Sequence, residues 1–471
     1  MNKNKKKKSS FIEKTPHALV LLFIIIVIGA LMSYVIPAGE FNRIVQNGRT
    51  VVEPGSFQYT DAPPAGLFDI FRAIPNGIQS AISIVILILL VGGAVEIFIS
   101  SGALNIAMVK LTHKLGGRGD LYILLALMIF FSILGGFLGW IEAAIPFIPL
   151  AVAIVVSLGY DAMTAAGVTI VGCMLSFAVG PTNLYTVGIS HQIAELPMFS
   201  GITYRSIIFI IFVAVGIFRV LRYARKVKAD PSLSMTPEVD ASDIKLNMED
   251  YEGQDFTLVH KAILLVLGIT LFFVVYGMLN LGWSINDMSA VFVLGGLIAG
   301  ALAKFSPNKI AKLMVEGSKK VILGALIVGV ARGIQWILST GGITDTIIYT
   351  LSAPLENLPG WITAIGMYGV HLVINFFIPS GSGQTMATMP IMVPLADVVG
   401  ITRQTAVQAF QFGDGITNLL YFTYGTLLYF LSVSKVSYQK WFKFIWPLIW
   451  KMILLSIIFL IIAVQINYGP F

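Results

Sequence analysis

Uncharged apolar runs of about 18 residues or more recur along most of this chain, each long enough to cross the roughly 30 Å hydrocarbon core of a bilayer as one helix. That feature leaves few folds open. In lipid every backbone N–H and C=O must be satisfied by the protein itself, so the spans are helices, and irregular backbone at membrane depth is buried in protein or lines a cavity. Of the 471 residues 56% are hydrophobic and only 12% are charged, against about 25% charged in soluble domains, which excludes a soluble enzyme. Disulfide scaffolds are excluded as well, since the single cysteine, Cys173, has no intrachain partner, and five scattered histidines with one thiol supply no obvious metal cage, so zinc and redox chemistry are not expected. The formal charge of +7 does not point to nucleic acid: Lys3, Lys5, Lys6, Lys7 and Lys8 form a tail ahead of the first apolar run, as an inside-facing anchor would. No small-residue cleavage site follows that run before Pro37, so no cleavable signal is expected.

Charge placement sets the topology. Spans at 17–37 and 81–100 enclose a loop whose only basic residues before the next amphipathic stretch are Arg43 and Arg49, and the second span is followed by Lys110, Lys114 and Arg118; the first loop is therefore external and the second internal. Spans at 163–190 and 204–222 lead into a polar linker, 223–258, that is also basic and internal. An even number of crossings must separate the two internal stretches, so 121–157, broken by Gly135-Gly136-Phe137-Leu138-Gly139, is expected to be a re-entrant hairpin. The second half gives spans at 259–281 and 287–303, a basic loop with Lys304, Lys309, Lys312, Lys319 and Lys320, and a span at 321–338. A second hairpin follows at 361–399, broken by Pro379-Ser380-Gly381-Ser382-Gly383-Gln384, and spans at 405–430 and 441–465 finish the chain. About nine spans and two hairpins result, with the N-terminus cytoplasmic, the C-terminus outside, and Arg332 and Lys451 inside spans.

A shift of about 240 residues superposes one half on the other. Ile99-Ser100-Ser101-Gly102 meets Leu338-Ser339-Thr340-Gly341, Thr164 meets Thr405, and the hairpins align. After each hairpin comes one pattern: Gly180-Pro181-Thr182-Asn183-Leu184 and Gly415-Ile416-Thr417-Asn418-Leu419. The organisation expected is a basic tail (1–16), a first repeat (17–222), a cytoplasmic linker (223–258), a connecting helix (259–281) and a second repeat (287–465), which the connecting helix inverts. Inverted repeats with helices broken near the midplane are a secondary-transporter architecture, in which freed carbonyls suit Na⁺ and freed helix N-termini suit a carboxylate. On this reading Thr182, Asn183, Thr417 and Asn418 serve substrate and Na⁺; the alternative is that such polar pairs are interhelical hydrogen-bonding glue.

The ionisable residues inside the membrane sharpen the reading, because a charge there costs about 2.5–3.5 kcal/mol on insertion scales. Glu142 at the first tip and Asp414 before the second Thr-Asn are expected to hold an ammonium group or a cation. Arg332 is expected either to hold a substrate carboxylate bidentately or to pair with Glu96 or Asp414. Ser380, Ser382 and Gln384 supply polar contacts at the second tip. His371 and Asn375, one turn apart, read as packing or as a proton relay; His191 reads as an interface residue and Glu96 as polar packing.

Thr15-Pro16-His17 leading to Ile36-Pro37-Ala38-Gly39, Val91-Gly92-Gly93 before Ser101-Gly102, Leu158-Gly159-Tyr160-Asp161 and Ala331-Arg332-Gly333-Ile334 give the chain its family likeness. It resembles the YfcC family of bacterial permeases, within the larger group of anaerobic C4-dicarboxylate-carrier-like and ion-transporter proteins. The resemblance implies an elevator-type transporter of the bacterial inner membrane, with basic amino-acid antiporters, arginine/ornithine exchangers and dicarboxylate carriers among its relatives, and a homodimer. One departure is specific. Exchanger relatives look like Gly-Met-Gly-Glu-Glu at the first tip, whereas this chain has Leu138-Gly139-Trp140-Ile141-Glu142-Ala143, with one carboxylate. The function expected is secondary transport, by antiport or by Na⁺- or H⁺-coupled symport, of a small carboxylate-bearing metabolite, foremost an amino acid. A C4-dicarboxylate carrier is the alternative; an ion channel, or an intramembrane hydrolase using Ser380 or Ser382 with His371, represents other classes. No cofactor is expected, and no Gly-x-x-x-x-Gly-Lys-Ser/Thr loop offers ATP drive.

Overall fold

The computed structural model describes residues 17–46, 49–115, 119–240, 251 and 253–469; the basic tail lies outside them. In the first half the helices are α1 (Ala18–Met32), α2 (Leu67–Ser80), α3 (Ile82–Ser100), α4 (Ala103–Leu115), α5 (Gly119–Ile133), α6 (Ile148–Ser157), α7 (Ala162–Ala166), α8 (Ser176–Ala178), α9 (Ile189–Ile193) and α10 (Ile202–Ala229). The second half has α11 (Leu258–Asn280), α12 (Ile285–Leu302), α13 (Pro307–Thr340), α14 (Thr344–Ser352), α15 (Gly360–Phe377), α16 (Gly381–Val398), α17 (Arg403–Thr417), α18 (Gly425–Val433) and α19 (Tyr438–Gln465). Between α1 and α2 lie two short antiparallel strand pairs, β1 (Gly39–Glu40) with β4 (Gln58–Tyr59) and β2 (Arg43–Gln46) with β3 (Arg49–Val52). Among the described residues eight helices are long and apolar enough to cross a membrane, the first arms of both hairpins included. The protein is a multi-pass membrane protein.

Several boundaries differ from the hydropathy reading, each for a local reason. α1 ends at Met32 instead of continuing to 37, because the Ser33 hydroxyl donates back to the Ala30 carbonyl (2.6 Å) and accepts the Ala65 N–H (2.9 Å), drawing the loop onto the helix end. The basic loop expected at 304–320 is helix from Pro307 onward. Ser306 caps it by accepting the Lys309 N–H (3.3 Å), Pro307 occupies the first turn, and lysine is a good helix former whose charge lowers hydropathy without breaking the helix. α10 likewise runs past 222 to Ala229, with Lys226 and Lys228 complementing the partial negative charge of its last turn.

α2 and α3, separated by Ala81 alone, lie antiparallel along the 34-residue α13. A Cβ at Gly77 would fall 2.4 Å from the Gly333 amide nitrogen, and one at Gly317 would fall 2.2 Å from the Gly92 carbonyl oxygen. Only glycine permits such backbone approach, the means by which membrane helices pack without a hydrophobic driving force. Shifting Gly77 and Gly333 by 240 residues in opposite senses turns one contact into Gly317 against Gly93, beside the other. α1 and α12 flank this frame, and α11 packs on α12 and α4.

A second body holds both hairpins, both broken helices, and the two 28-residue helices α10 and α19. Arg205 is fully buried here, donating to the Pro181 carbonyl (3.2 Å), Gln404 Oε1 (3.1 Å) and the Tyr468 hydroxyl (3.0 Å). His191, expected at an interface, is buried in the same network: its Nε2 lies 3.2 Å from Gln404 Oε1 and its Nδ1 accepts the Phe199 N–H at 2.9 Å. The chain needs a partner for each buried polar group, and Gln404 supplies one from the other half. The two bodies meet chiefly where α13 crosses α18.

Candidate functional site

Both hairpins are helix, break, helix. In the first, α5 passes into a π-helical turn, Leu134–Leu138, that ends at Gly139 with φ +70°, a left-handed conformation that glycine adopts without strain. A Cβ on Gly139 would also fall 2.3 Å from Asn183 Oδ1, so the tip can rest on the first helix break only because this residue has no side chain. The 3₁₀ segment Glu142–Phe147 then leads into α6. In the second hairpin Ile378, Pro379 and Ser380 separate α15 from α16, and Ser380 caps α16 by accepting the Gly383 N–H at 3.3 Å.

The Thr-Asn motifs sit at the breaks, and at the first break the motif's own amide repairs it. Asn183 Oδ1 accepts the N–H groups of Tyr185 (3.0 Å) and Thr186 (3.3 Å) where helix restarts, while its Nδ2 donates to the Phe177 carbonyl (3.1 Å) where helix stopped. Thr182 Oγ1 donates to the Phe137 carbonyl of the first tip at 2.9 Å. At the second break the repair comes from outside the motif. Asn375 Nδ2 lies within hydrogen-bond reach of the Asp414 carbonyl (2.6 Å), Thr417 Oγ1 (2.8 Å) and Asn418 Oδ1 (2.9 Å), so a residue read as packing ties the second hairpin to α17. Asn183→Ala would remove a helix cap and orphan a buried carbonyl, each worth about 1–2 kcal/mol. The expected result is a fall in melting temperature of the detergent-purified protein and a larger fall in transport, with insertion intact; unchanged uptake kinetics would return Asn183 to packing.

Between the tips and breaks lies a cavity of about 210 Å³, below the roughly 300–1,000 Å³ of drug-sized sites and suited to a small metabolite. Glu142, Arg332, Ser380, Ser382 and Asn418 line it, so five of the ten residues singled out in the sequence converge on one space. Glu142 accepts the Tyr424 hydroxyl at 3.1 Å, and Arg332 donates to Gln335 Oε1 at 3.5 Å. Both side chains are half-buried, and neither forms an ion pair among the described residues. Arg332 pairs with neither of its expected partners: Glu96 binds Lys320 at 2.7 Å, a contact between α3 and α13 that also corrects its reading as polar packing.

The other five stand outside that wall. Asp414 is completely buried behind the second tip; a Cβ at Gly381 would fall 3.5 Å from its Oδ2, and neither carboxylate oxygen has a hydrogen-bond partner among the described residues. Gln384 is buried against His371, its Nε2 donating to the His371 carbonyl (3.1 Å) and lying 3.2 Å from the His371 Nδ1. Thr182, Asn183 and Thr417 hold the breaks. The aromatic walls, Trp140, Phe177, Tyr185 and Tyr424, were missed. Their position beside each break was the available signal, since Trp140 adjoins Gly139 and Tyr185 follows Asn183 by two residues.

A chain of membrane-length helices, with two broken hairpins closing on a small charged cavity, has the build of a membrane transporter. It belongs to the DcuC family, whose model, C4-dicarboxylate anaerobic carrier, matches residues 15–465. The chain is 30% identical to an Escherichia coli protein named as a candidate basic amino acid antiporter, YfcC, over 91% of this chain and 92% of that one. It is 26% identical to an uncharacterised Haemophilus influenzae protein over 98% and 99% of the two chains. Among solved structures it is loosely similar to Neisseria gonorrhoeae MtrF, described with a class of antimetabolite efflux pumps (17% identity, 98% and 99% covered, TM-score 0.43). A second is the Alcanivorax borkumensis YdaH transporter (14%, 97% and 100% covered, TM-score 0.41). The protein is thus a membrane transporter of the DcuC family.

Proposed function

We propose that the protein is a secondary transporter of a small zwitterion, foremost an amino acid, by antiport or cation-coupled symport. The observation that carries this reading is the pairing of opposite charges in one cavity: Arg332 and Glu142 both line it, and neither is neutralised by a protein ion pair among the described residues. A substrate carboxylate on the Arg332 guanidinium and an ammonium group on Glu142 would satisfy both, and charge-assisted contacts of this kind are strong where water is excluded. Ser380, Ser382 and Asn418 add polar contacts from the other tip and break. The relative named for basic amino acids agrees in class, although the single carboxylate at this tip favours one cationic group over two.

Asp414, sealed behind Gly381, carries the coupling cation, H⁺ or Na⁺, because an ionised carboxylate without a partner is costly at membrane depth. Thr182, Asn183, Thr417 and Asn418 lie at the breaks where unwound carbonyls would share a Na⁺. The antiparallel packing of α2 and α3 on α13 and the matching lengths of α10 and α19 support two inverted repeats, and the division into a frame and a hairpin-bearing body supports an elevator displacement of the latter in the bacterial inner membrane. Dimerisation through the frame would hold it still.

The family description favours a second reading, a C4-dicarboxylate carrier. Counterflow in proteoliposomes decides between them. Amino acids should exchange against a preloaded radiolabelled amino acid, with succinate and malate inert; exchange of dicarboxylates alone overturns the zwitterion, and single-channel current would move the protein to another class.

A further inference from the structure

Lys451 stands in the middle of α19 and the transport site does not use it. It lines, with Arg219, Arg222 and Lys226 of α10, a separate cavity of about 550 Å³ to which no carboxylate contributes. We propose that this cavity binds the headgroup of an anionic phospholipid.

Arg219, Arg222 and Lys226 follow one another at helical spacing, so α10 presents three cations on one face. None of the four is ion-paired among the described residues. Acids of the neighbouring segments have other partners: Asp120 pairs with Lys228 (3.1 Å), Glu238 pairs with Lys440, and Asp161 accepts the hydroxyls of Ser234 (2.6 Å) and of Tyr223 (2.6 Å), itself a wall residue of the cavity. Arg219 donates through one terminal nitrogen to the Phe444 carbonyl (3.1 Å), which leaves its buried Nε without a partner. Four like charges around one space repel unless an anion lies among them.

Two observations make that anion a lipid. The remaining wall includes Val215, Phe218, Leu233 and Met235, an apolar surface that a free phosphate would leave wet and the acyl end of a lipid would cover. On α19 the exposed Trp446 and Trp450, with Phe442 stacked on Trp446 at 4.9 Å, form an aromatic belt of the kind found at headgroup level, and Lys451 follows directly, long enough to snorkel back toward the arginines. A second copy of the chain is a poor occupant, since it would bring four more cations to the same place.

Native mass spectrometry of the full-length protein, titrated with phosphatidylglycerol or phosphatidylcholine, tests the proposal without reference to the transported substrate. Phosphatidylglycerol should be retained in preference. Arg219→Gln/Arg222→Gln should weaken it about 25-fold, roughly fivefold per charge, and Lys451→Gln, an exposed change with no bearing on folding, about fivefold. Equal retention of both lipids, or undiminished phosphatidylglycerol binding by the variants, overturns the proposal. Complete displacement by millimolar inorganic phosphate would make this a free-anion site and overturn the lipid assignment.

Discussion

Arg332→Gln is expected to lower uptake of the transported amino acid at least 30-fold, and Glu142→Gln by a similar factor. Each change removes one partner of a charge pair in a small cavity where both side chains are half-buried, which costs about 2–5 kcal/mol because the substrate's own charge is left unpaired. Gln at 142 can still accept the Tyr424 hydroxyl that Glu142 accepts at 3.1 Å, so the loss measures charge and not packing. The double variant should lose less than the product of the two factors, since both contacts serve one ligand. Initial rates in proteoliposomes, with size-exclusion profiles confirming the fold, check all three. The same pair separates the two substrate classes: a dicarboxylate is repelled by Glu142, so Glu142→Gln would then leave transport unchanged or raise it. Normal transport by Arg332→Gln would remove the carboxylate role.

Asp414→Asn should preserve exchange while abolishing accumulation. Asparagine has nearly the shape of aspartate, and Asp414 is fully buried without a partner for either oxygen, so the neutral variant should fold at least as well. What it cannot do is gain and lose a positive ion. One coupled charge is worth about 2.3 kcal/mol per 100 mV, so accumulation driven by an ion gradient at that potential should fall by up to about 50-fold, while counterflow at zero gradient persists. Imposing a pH gradient and a Na⁺ gradient separately identifies the ion. Accumulation by Asp414→Asn equal to that of the native chain would leave the carboxylate a structural feature.

The sequence carried the architecture a long way because its strongest signals are local. The three glycines within 135–139 and Pro379-Ser380 interrupt the hairpins near the expected places, although Gly381 to Gln384, expected in the second break, form the first turn of α16. Gly-Pro-Thr-Asn and Gly-Ile-Thr-Asn likewise mark the interrupted helices after α8 and α17. Hydropathy failed where conformation and charge part company, as in the lysines at the start of α13, which lie on a capped helix that begins at Pro307 and not at 321.

By itself the sequence determined that the chain spans a membrane, where its helices break, and which few charged residues stand inside, since each follows from the cost of exposing a polar group to lipid. Only the tertiary structure decided which of those charges meet. Glu142 and Arg332 are far apart in the chain and line one cavity; Glu96 turned to Lys320 and not to Arg332; Asp414 ended behind the tip instead of in the wall. Pairings of this kind depend on helix rotation and on close backbone approach, such as that of Gly92 to Gly317, which no hydrophobic period records. In lipid such contacts between helices, and not hydrophobicity, choose the partner.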